Sequence, residues 1–278
     1  APAGAKMRDF KVPAQANKAA LPVICIPTTA GTGSEATRFT VITDTETDEK
    51  MLIAGLGALP LAAIVDYELT FSVPPRTTAD TGIDSLTHAL EALVSRRANP
   101  ESDEYALRAM RLIGPNLRTV YQDPKNAAAR EAMMKGATLA GLAFSNSSVA
   151  LVHGMSRPIG AHFHVPHGLS NAMLLPAVTA YSLNAALPRY AEAARAIGVA
   201  GRDEGDQSAG AKLLEELSAL NRELAVPTPA AYGIDAAKWD GLLLIMVVQA
   251  LASGSPANNP AVPDAEAIMA LYRRAWQG

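Results

Sequence analysis

All five histidines of the chain lie in two short segments. His88 belongs to GIDSLTHALEALV and follows Asp84 by four residues, whereas the other four histidines lie in LVHGMSRPIGAHFHVPHGL, residues 151–169. Side chains four residues apart on a helix project from one face, about one turn from each other. With His153 and His167 as further ligands, the set would offer one oxygen and three nitrogens, which suits Fe²⁺ or Zn²⁺ better than Mg²⁺ or Ca²⁺.

Each of these residues has a simpler interpretation when it is considered alone. An Asp and a His four residues apart on a helix usually form a surface pair, and a single His on an apolar face is usually a core residue with a hydrogen bond. Because the whole histidine content is confined to two segments, the set favours a metal site over both alternatives. His162 is expected to be a surface residue.

A loop of small residues, TTAGTGSEAT at 28–37, follows an apolar run that is typical of a strand. Its part GTGSEA (31–36) matches the weak G-x-G-x-x-A form of the dinucleotide fingerprint, although an isolated match is more often an ordinary turn. The hydroxyls and open N–H groups of the loop suit a phosphate or a ribose. The loop lacks the lysine of a phosphate-binding P-loop, which argues against a kinase or an ATPase.

The pattern of apolar residues changes near Pro74–Pro75. Before this point, runs at 21–27, 38–44 and 61–69 predict strands, of which the first and the last are expected to be buried. After it, helical spacing prevails and no strand is expected. The predicted helices cover 78–97, 101–121, 127–143, 168–183, 187–197, 208–224, 236–252 and 264–276. We therefore expect an α/β segment, residues 1–75, followed by an all-helical domain, residues 76–278, that carries the metal.

The composition excludes several classes of function. The formal charge is −3 and no basic run occurs, which argues against a nucleic-acid surface. No apolar stretch reaches the roughly 20 residues that a membrane span needs. The single cysteine, Cys25, excludes an intramolecular disulfide and fits a cytoplasmic protein. Within PVICIP, Cys25 is expected to be a buried strand residue rather than a nucleophile.

Four motifs resemble those of the iron-containing (group III) alcohol dehydrogenases, and they occur in the same order across nearly the whole chain. They are PTTAGTGSEAT (27–37), GIDSLTHALEA (82–92), LVHGMSRPIGAHFHVPHGLSNAMLLP (151–176) and ASGSPANNP (252–260). The resemblance implies a dehydroquinate-synthase-like fold, in which an N-terminal α/β nucleotide-binding domain precedes a helical metal-binding domain. It also implies NAD- or NADP-dependent interconversion of a small alcohol and its aldehyde or ketone, in a homo-oligomer such as a dimer.

The resemblance assigns roles to individual residues. It places the family's metal ligands, for Fe²⁺ or Zn²⁺, on Asp84, His88, His153 and His167, which are thereby the catalytic residues. It implies contacts to the nicotinamide cofactor from Thr28, Thr29, Thr37, Lys50 and, more weakly, Leu69. It places Phe144 in the wall of the substrate pocket.

Two positions differ from the pattern that is common in the family. Arg157 stands where many members have a second histidine four residues after the third ligand, and His164 stands where some relatives have Asn. Both residues are candidates for the substrate pocket. A guanidinium four residues after His153 is able to hold a carboxylate, so Arg157 is a candidate for selecting anionic substrates. The alternative is that Arg157 pairs with a neighbouring acid and never meets the substrate.

The family's glycine-rich GGGS turn, which holds the cofactor pyrophosphate, is not found before residue 27 of this sequence. The resemblance therefore implies a cofactor domain that is N-terminally incomplete, and we expect this chain alone to be a poor dehydrogenase. Two alternatives stay open at this stage. The chain is a reductase on the same scaffold, such as a maleylacetate-reductase-like enzyme, or it is a truncated metal-binding domain without activity.

Overall fold

The four strands of the structure are short. A computed structural model describes residues 4–18, 21–46 and 49–278, without the side chains of residues 43, 49 and 50. The strands are β1 (Ile24–Cys25), β2 (Phe39–Asp44), β3 (Glu49–Ala54) and β4 (Ala62–Ala63). β1 pairs in parallel with β4, Ile24 opposite Ala62, and β2 pairs antiparallel with β3, Phe39 opposite Ala54.

Two of the strand predictions are wrong in extent and in burial. Only two residues of 21–27 and two of 61–69 form strand. A 3₁₀ turn, Tyr67–Thr70, follows β4. Ile24 is 61% exposed and Leu61 is 75% exposed. An apolar run in a parallel sheet is buried only where helices cover both faces, and no element in the described part of the chain covers these side chains. Cys25 is accordingly half-buried rather than buried.

The other strand prediction is confirmed, since β2 spans nearly the whole of 38–44. Its partner β3 is absent from the predicted strands, because EKMLIA follows a charged stretch and carries no alternation of its own. The segment before the first helix is therefore more irregular than the apolar runs indicate.

From Pro75 onward the structure contains helices and no strand among the described residues, as predicted. The helices are α1 (Pro75–Val94), α2 (Pro100–Gln122), α3 (Ala127–Asn146), α4 (Leu151–Phe163), α5 (His167–Ser182), α6 (Leu187–Ile197), α7 (Asp206–Glu223), α8 (Ala236–Ala252) and α9 (Ala265–Gln277). Only α4 is absent from the predicted helices. The division into domains at residue 75 stays a prediction. None of the helices in the described part of the chain is long and apolar enough to cross a membrane.

Helix α1 lies at the centre of the helical part. It begins with Pro75 at its first position, where a proline ring fits and no N–H is needed. Its residues from Gly82 to Val94 are all buried, since α1 packs against α2, α3 and α5. Charged and polar groups on such a helix are costly unless neighbouring helices supply partners for them, so the buried Asp84, His88 and Glu91 need an explanation.

Candidate metal centre

Three helices bring the four predicted ligands together. Asp84 and His88 lie one turn apart on α1, His153 is in the first turn of α4, and His167 is the first residue of α5. The Oδ1 atom of Asp84 lies 3.9 Å from Nε2 of His88, 3.5 Å from Nε2 of His153 and 3.7 Å from Nε2 of His167. One ligand atom from each of the four residues lies within 4.8 Å of every other.

These distances fit a single small cation. Ligand atoms at about 2.1 Å from a tetrahedral metal are about 3.4 Å from one another, close to the separations around Asp84. One carboxylate oxygen and three imidazole nitrogens form a donor set suited to Fe²⁺ or Zn²⁺. In addition, the buried Oδ1 atom of Asn171, beside the cluster, has no hydrogen-bond partner in the described structure, as expected next to an ion or a water site.

The cluster is closed on one side and open on the other. The side chains of Asp84, His88 and His153 are almost fully buried, whereas that of His167 is 45% exposed. The rings of His88 and His153 stack with centroids 4.5 Å apart, and Phe144 stacks on the other side of His88 at 4.4 Å. A small molecule would therefore reach the four ligands from the side of His167.

Burial and mutual charge shift the ionisation of the ligands in different directions. Burial disfavours the Asp84 carboxylate, but the three neighbouring histidines outweigh it and hold its pKa well below the usual range. Burial lowers the pKa of His88 to about 3. Burial also disfavours charge on His153, but the neighbouring carboxylates of Asp84 and Glu91 outweigh it and raise its pKa to about 9. The site thus keeps an anion at its centre and keeps His88 in the neutral form that a metal requires.

Two further residues contact the predicted ligands, and neither is among the residues predicted from the sequence. Glu91, buried on α1, accepts hydrogen bonds from the backbone N–H groups of Ala150 and Val152 and lies 2.7 Å from Nδ1 of His153. Asn171 donates to Asp84 Oδ1 at 2.6 Å, and its Nδ2 atom lies 3.2 Å from Nε2 of His153. Spacing is the one local signal in the sequence for them, and it is weak for these residue types: Glu91 is three residues after His88, and Asn171 is four residues after His167.

A close approach of α5 to α1 sets the position of His167. A Cβ atom on Gly168 would lie 2.3 Å from the carbonyl oxygen of Asp80 and 3.3 Å from Cβ of Asp84. Only glycine allows this contact, because real Cβ atoms do not come so near to a carbonyl oxygen. The residue next to the fourth ligand therefore fixes its distance from Asp84.

The loop of small residues lies directly beside the metal ligands. Ser85, the residue after Asp84, donates to the carbonyl oxygen of Gly31 at 2.9 Å, and a Cβ atom on Gly31 would lie 2.5 Å from Cβ of Thr81. The loop therefore sits against α1. It continues into a three-residue 3₁₀ turn, Ser34–Ala36, and not into the long helix of a dinucleotide fingerprint. GTGSEA therefore forms an ordinary turn, the more frequent of the two interpretations.

The predicted cofactor residues differ in exposure and lie on three different elements of the segment before α1. Thr28 is exposed and Thr29 half-buried, on the loop, whereas Leu69 is 39% exposed in the 3₁₀ turn before α1. The Thr37 hydroxyl is buried and donates within its own turn, to the carbonyl oxygens of Ser34 and Phe39. Lys50 lies opposite Thr43 in the β2–β3 pair, and its side chain is outside the described structure.

The predicted substrate residues lie on or next to α4. Arg157 is one turn after His153, partly buried, and forms no hydrogen bond or ion pair through its guanidinium with any residue that the structure describes. His164 is exposed and ends α4 in a left-handed conformation. His162 is half-buried and lies 2.8 Å from Oε1 of Gln249, so it is more enclosed than a surface residue.

Two family profiles match the chain. The profile described as "Fe-containing alcohol dehydrogenase family, C-terminal" matches residues 78–276, and that described as "Iron-containing alcohol dehydrogenase" matches residues 3–67.

Individual proteins are similar over almost the whole chain. An NADPH-dependent butanol dehydrogenase from Clostridium saccharobutylicum is 35% identical over 97% of the chain and 68% of its own length. An alcohol dehydrogenase from Oenococcus oeni has a similar structure, with a TM-score of 0.91 and 32% identity over 98% of the chain and 70% of its own. A sulfoacetaldehyde reductase from Bifidobacterium kashiwanohense, solved with NAD⁺, has a TM-score of 0.84 and 29% identity over 98% and 69%. The chain thus spans about two thirds of the length of these relatives.

Proposed function

Because the chain belongs to the iron-containing alcohol dehydrogenase family, we propose that it interconverts a small alcohol and its aldehyde or ketone with NAD or NADP. The observation that carries this proposal is the cluster of one carboxylate oxygen and three imidazole nitrogens within 4.8 Å of one another. A bound Fe²⁺ or Zn²⁺ would supply Lewis-acid polarisation of the alcohol or carbonyl oxygen, and the nicotinamide would carry the hydride.

The protein's own residues supply orientation and charge. Asp84, His88, His153 and His167 would hold the cation, with Asp84 partly neutralising its charge. The open side at His167 gives the substrate a way to the ligands, and the ring of Phe144, stacked on His88, forms an apolar wall beside them. Such fixed surroundings orient a substrate without reorganisation during the reaction.

We assign the nicotinamide cofactor to the small-residue loop. Thr28 and Thr29 lie on the loop that Ser85 anchors next to Asp84, so a cofactor on this loop would be near the metal ligands. Thr37 would act through the shape of the turn, since its hydroxyl is used internally, and Leu69 offers an exposed apolar contact. Lys50 is proposed from the family pattern alone. The relatives include one named for NADPH and one solved with NAD⁺, so both nucleotides belong in the test.

Arg157 makes anionic substrates a specific candidate class. The Arg157 guanidinium is partly buried one turn after His153 and interacts electrostatically with the buried Glu91, without a hydrogen bond or ion pair among the described residues. Such a group is suited to bind a carboxylate or sulfonate through parallel hydrogen bonds. The sulfoacetaldehyde reductase is named for an anionic aldehyde. This is also the observation that keeps a second candidate, a maleylacetate-reductase-like enzyme, in consideration. His164 is exposed at the end of α4, outside the turn that carries His153, and is the weaker candidate.

The activity of these 278 residues alone is a separate proposal. The poor dehydrogenase activity that we expect of them stays a prediction. The cytoplasmic location and the dimer also stay predictions.

The test combines metal content with a substrate panel. The protein is purified without added metal, its iron and zinc are determined, and its reaction is measured with neutral and anionic alcohols and aldehydes, with NAD(H) and NADP(H), alongside a version extended at the N-terminus. We expect about one equivalent of metal and reaction that disappears on chelation. Binding of metal without oxidation or reduction of any substrate by either version would favour a metal-binding domain without activity.

A further inference from the structure

Glu91 is a buried carboxylate that contacts His153 and is not itself one of the predicted metal ligands. It is 3% exposed and lies on α1 two turns after Asp84. Its Oε2 atom accepts from the N–H of Ala150 at 2.8 Å and lies 2.7 Å from Nδ1 of His153, and its Oε1 atom accepts from the N–H of Val152 at 2.6 Å. Three donors thus converge on one carboxylate at the point where α1 meets the start of α4.

The backbone contacts alone would make Glu91 a helix cap. Ala150 precedes α4 and has no side chain that could cap it, so the first N–H groups of the helix need an external acceptor. A carboxylate satisfies them and also interacts favourably with the positive end of the helix dipole. This contact explains why a charged group is tolerated in the core, but it does not explain the third contact, to His153.

The contact to His153 determines which ring nitrogen faces the other ligands. A carboxylate only accepts hydrogen bonds, so the proton between Glu91 and His153 belongs on Nδ1. The Nε2 atom then presents its lone pair on the opposite edge of the ring, where Asp84 Oδ1 lies at 3.5 Å and the Nδ2 atom of Asn171 at 3.2 Å. The NH₂ group of Asn171 donates to Asp84 Oδ1. Because this group only donates, a neighbouring Nε2 that carries a lone pair and no proton suits it.

We propose that Glu91 is a positioning residue that locks His153 in the orientation and tautomer needed to bind the metal through Nε2. The proposal rests on the proposed function, since it presumes that the cluster holds a cation. Partners that orient a ligating histidine through its other ring nitrogen typically contribute 10- to 100-fold to metal affinity. Because the same carboxylate caps α4, the helix start and the ligand are fixed by one group.

The decisive variant is Glu91→Gln, which keeps the shape of the side chain. Its amide carries a donor group as well as an acceptor. Each oxygen of Glu91 accepts from one N–H at the start of α4, so the NH₂ group of a glutamine opposes one of these donors in either orientation. A neutral amide also holds the Nδ1 proton of His153 less strongly than a carboxylate does, so neither the tautomer nor the ring orientation stays fixed. We expect zinc affinity, measured by competition with a chromophoric chelator, to fall about 10- to 100-fold. Asp264→Ala, which removes the cap of α9, a helix that carries none of the four ligands, should lower the melting temperature and leave zinc affinity unchanged.

The outcomes separate this inference from the proposed function. If the unmodified protein binds no zinc at the four ligands, the proposed function fails. If it binds zinc and Glu91→Gln binds zinc equally well, Glu91 is only a helix cap and the inference is overturned.

A second measurement does not depend on the folding of a variant. In the zinc-loaded unmodified protein, ¹⁵N NMR of His153 should show zinc on Nε2 and a slowly exchanging proton on Nδ1. Zinc on Nδ1, or an Nδ1 proton that exchanges freely with water, would contradict the proposed role of Glu91.

Discussion

Oδ1 of Asp84 lies 3.5 Å from Nε2 of His153, across the contact between α1 and the first turn of α4. The Asp84 carboxylate has no lysine or arginine beside it in the described structure. Its neighbours are three imidazoles, which are charged only when protonated, and one amide. A group of this kind is stable in a protein core when a cation binds it or when the histidines carry protons. The separation of these two atoms is therefore the geometric basis of the proposed metal site.

Replacing a single ligand should abolish tight metal binding. We expect His153→Ala and His167→Ala each to lower metal affinity by more than about 100-fold, because each removes one of four donor atoms. Loss of a residue that only orients a ligand costs about 10- to 100-fold. His162→Ala is the matched control, since His162 lies on α4 but contacts Gln249 and not the cluster. Bound iron and zinc are measured by elemental analysis after dialysis. Full metal content in both ligand variants would show that the assignment of the ligands is wrong.

Gly168→Ala should disturb the site without touching a ligand. The added Cβ atom would meet the carbonyl oxygen of Asp80 at 2.3 Å, so α5 must move away from α1 and carry His167 with it. We expect a loss of about 1–3 kcal/mol in the free energy of unfolding and a weaker zinc complex, measured by urea denaturation and by chelator competition.

The control for this prediction is Gly241→Ala, on α8, where an added Cβ atom meets nothing within 4 Å. It should be neutral or stabilise by up to about 1 kcal/mol, with unchanged zinc affinity. Equal stability and zinc binding in the two variants would contradict the role given to the α1–α5 contact.

Arg157→His should change substrate preference rather than folding. If the guanidinium binds the anionic group of a substrate, kcat/KM for hydroxy acids or their oxo forms should fall at least about tenfold, equivalent to about 1.4 kcal/mol. The value for neutral alcohols of equal length should stay within about twofold. Arg108→His serves as control, because Arg108 is exposed on α2 and pairs with Glu104. A loss of kcat/KM by the same factor for both classes of substrate would show that Arg157 does not determine substrate preference.

The cluster of candidate ligands could be predicted from the sequence because the residue types and their spacing form a local pattern. Asp84 and His88 share a helix face at four-residue spacing, and the rarity of histidine elsewhere makes His153 and His167 stand out. Glu91 has the same spacing signal but a common residue type, so only its burial and its contact to His153 reveal its role. Asn171 is polar and uncharged in an apolar helix, which carries little information without the neighbouring helices.

The extent of the strands could not be predicted, for a different physical reason. LPVICIP and LAAIVDYEL are apolar, but burial of a strand depends on layers that lie far away in the sequence. In the structure Val23 and Ile64 are about half exposed, at 49% and 52%. Helical periodicity is a property of one segment, which is why α1, α2 and α6 begin and end close to the predicted bounds.

The most direct measurement is an anomalous difference map from crystals of the protein, collected above and below the iron and zinc absorption edges. We expect one peak, at about 2.0–2.2 Å from Nε2 of His88, His153 and His167 and from a carboxylate oxygen of Asp84. If metal-replete crystals show the ion at other residues, or show no ion at these four, the proposed metal centre is contradicted. The alcohol dehydrogenase chemistry that depends on it is then contradicted as well.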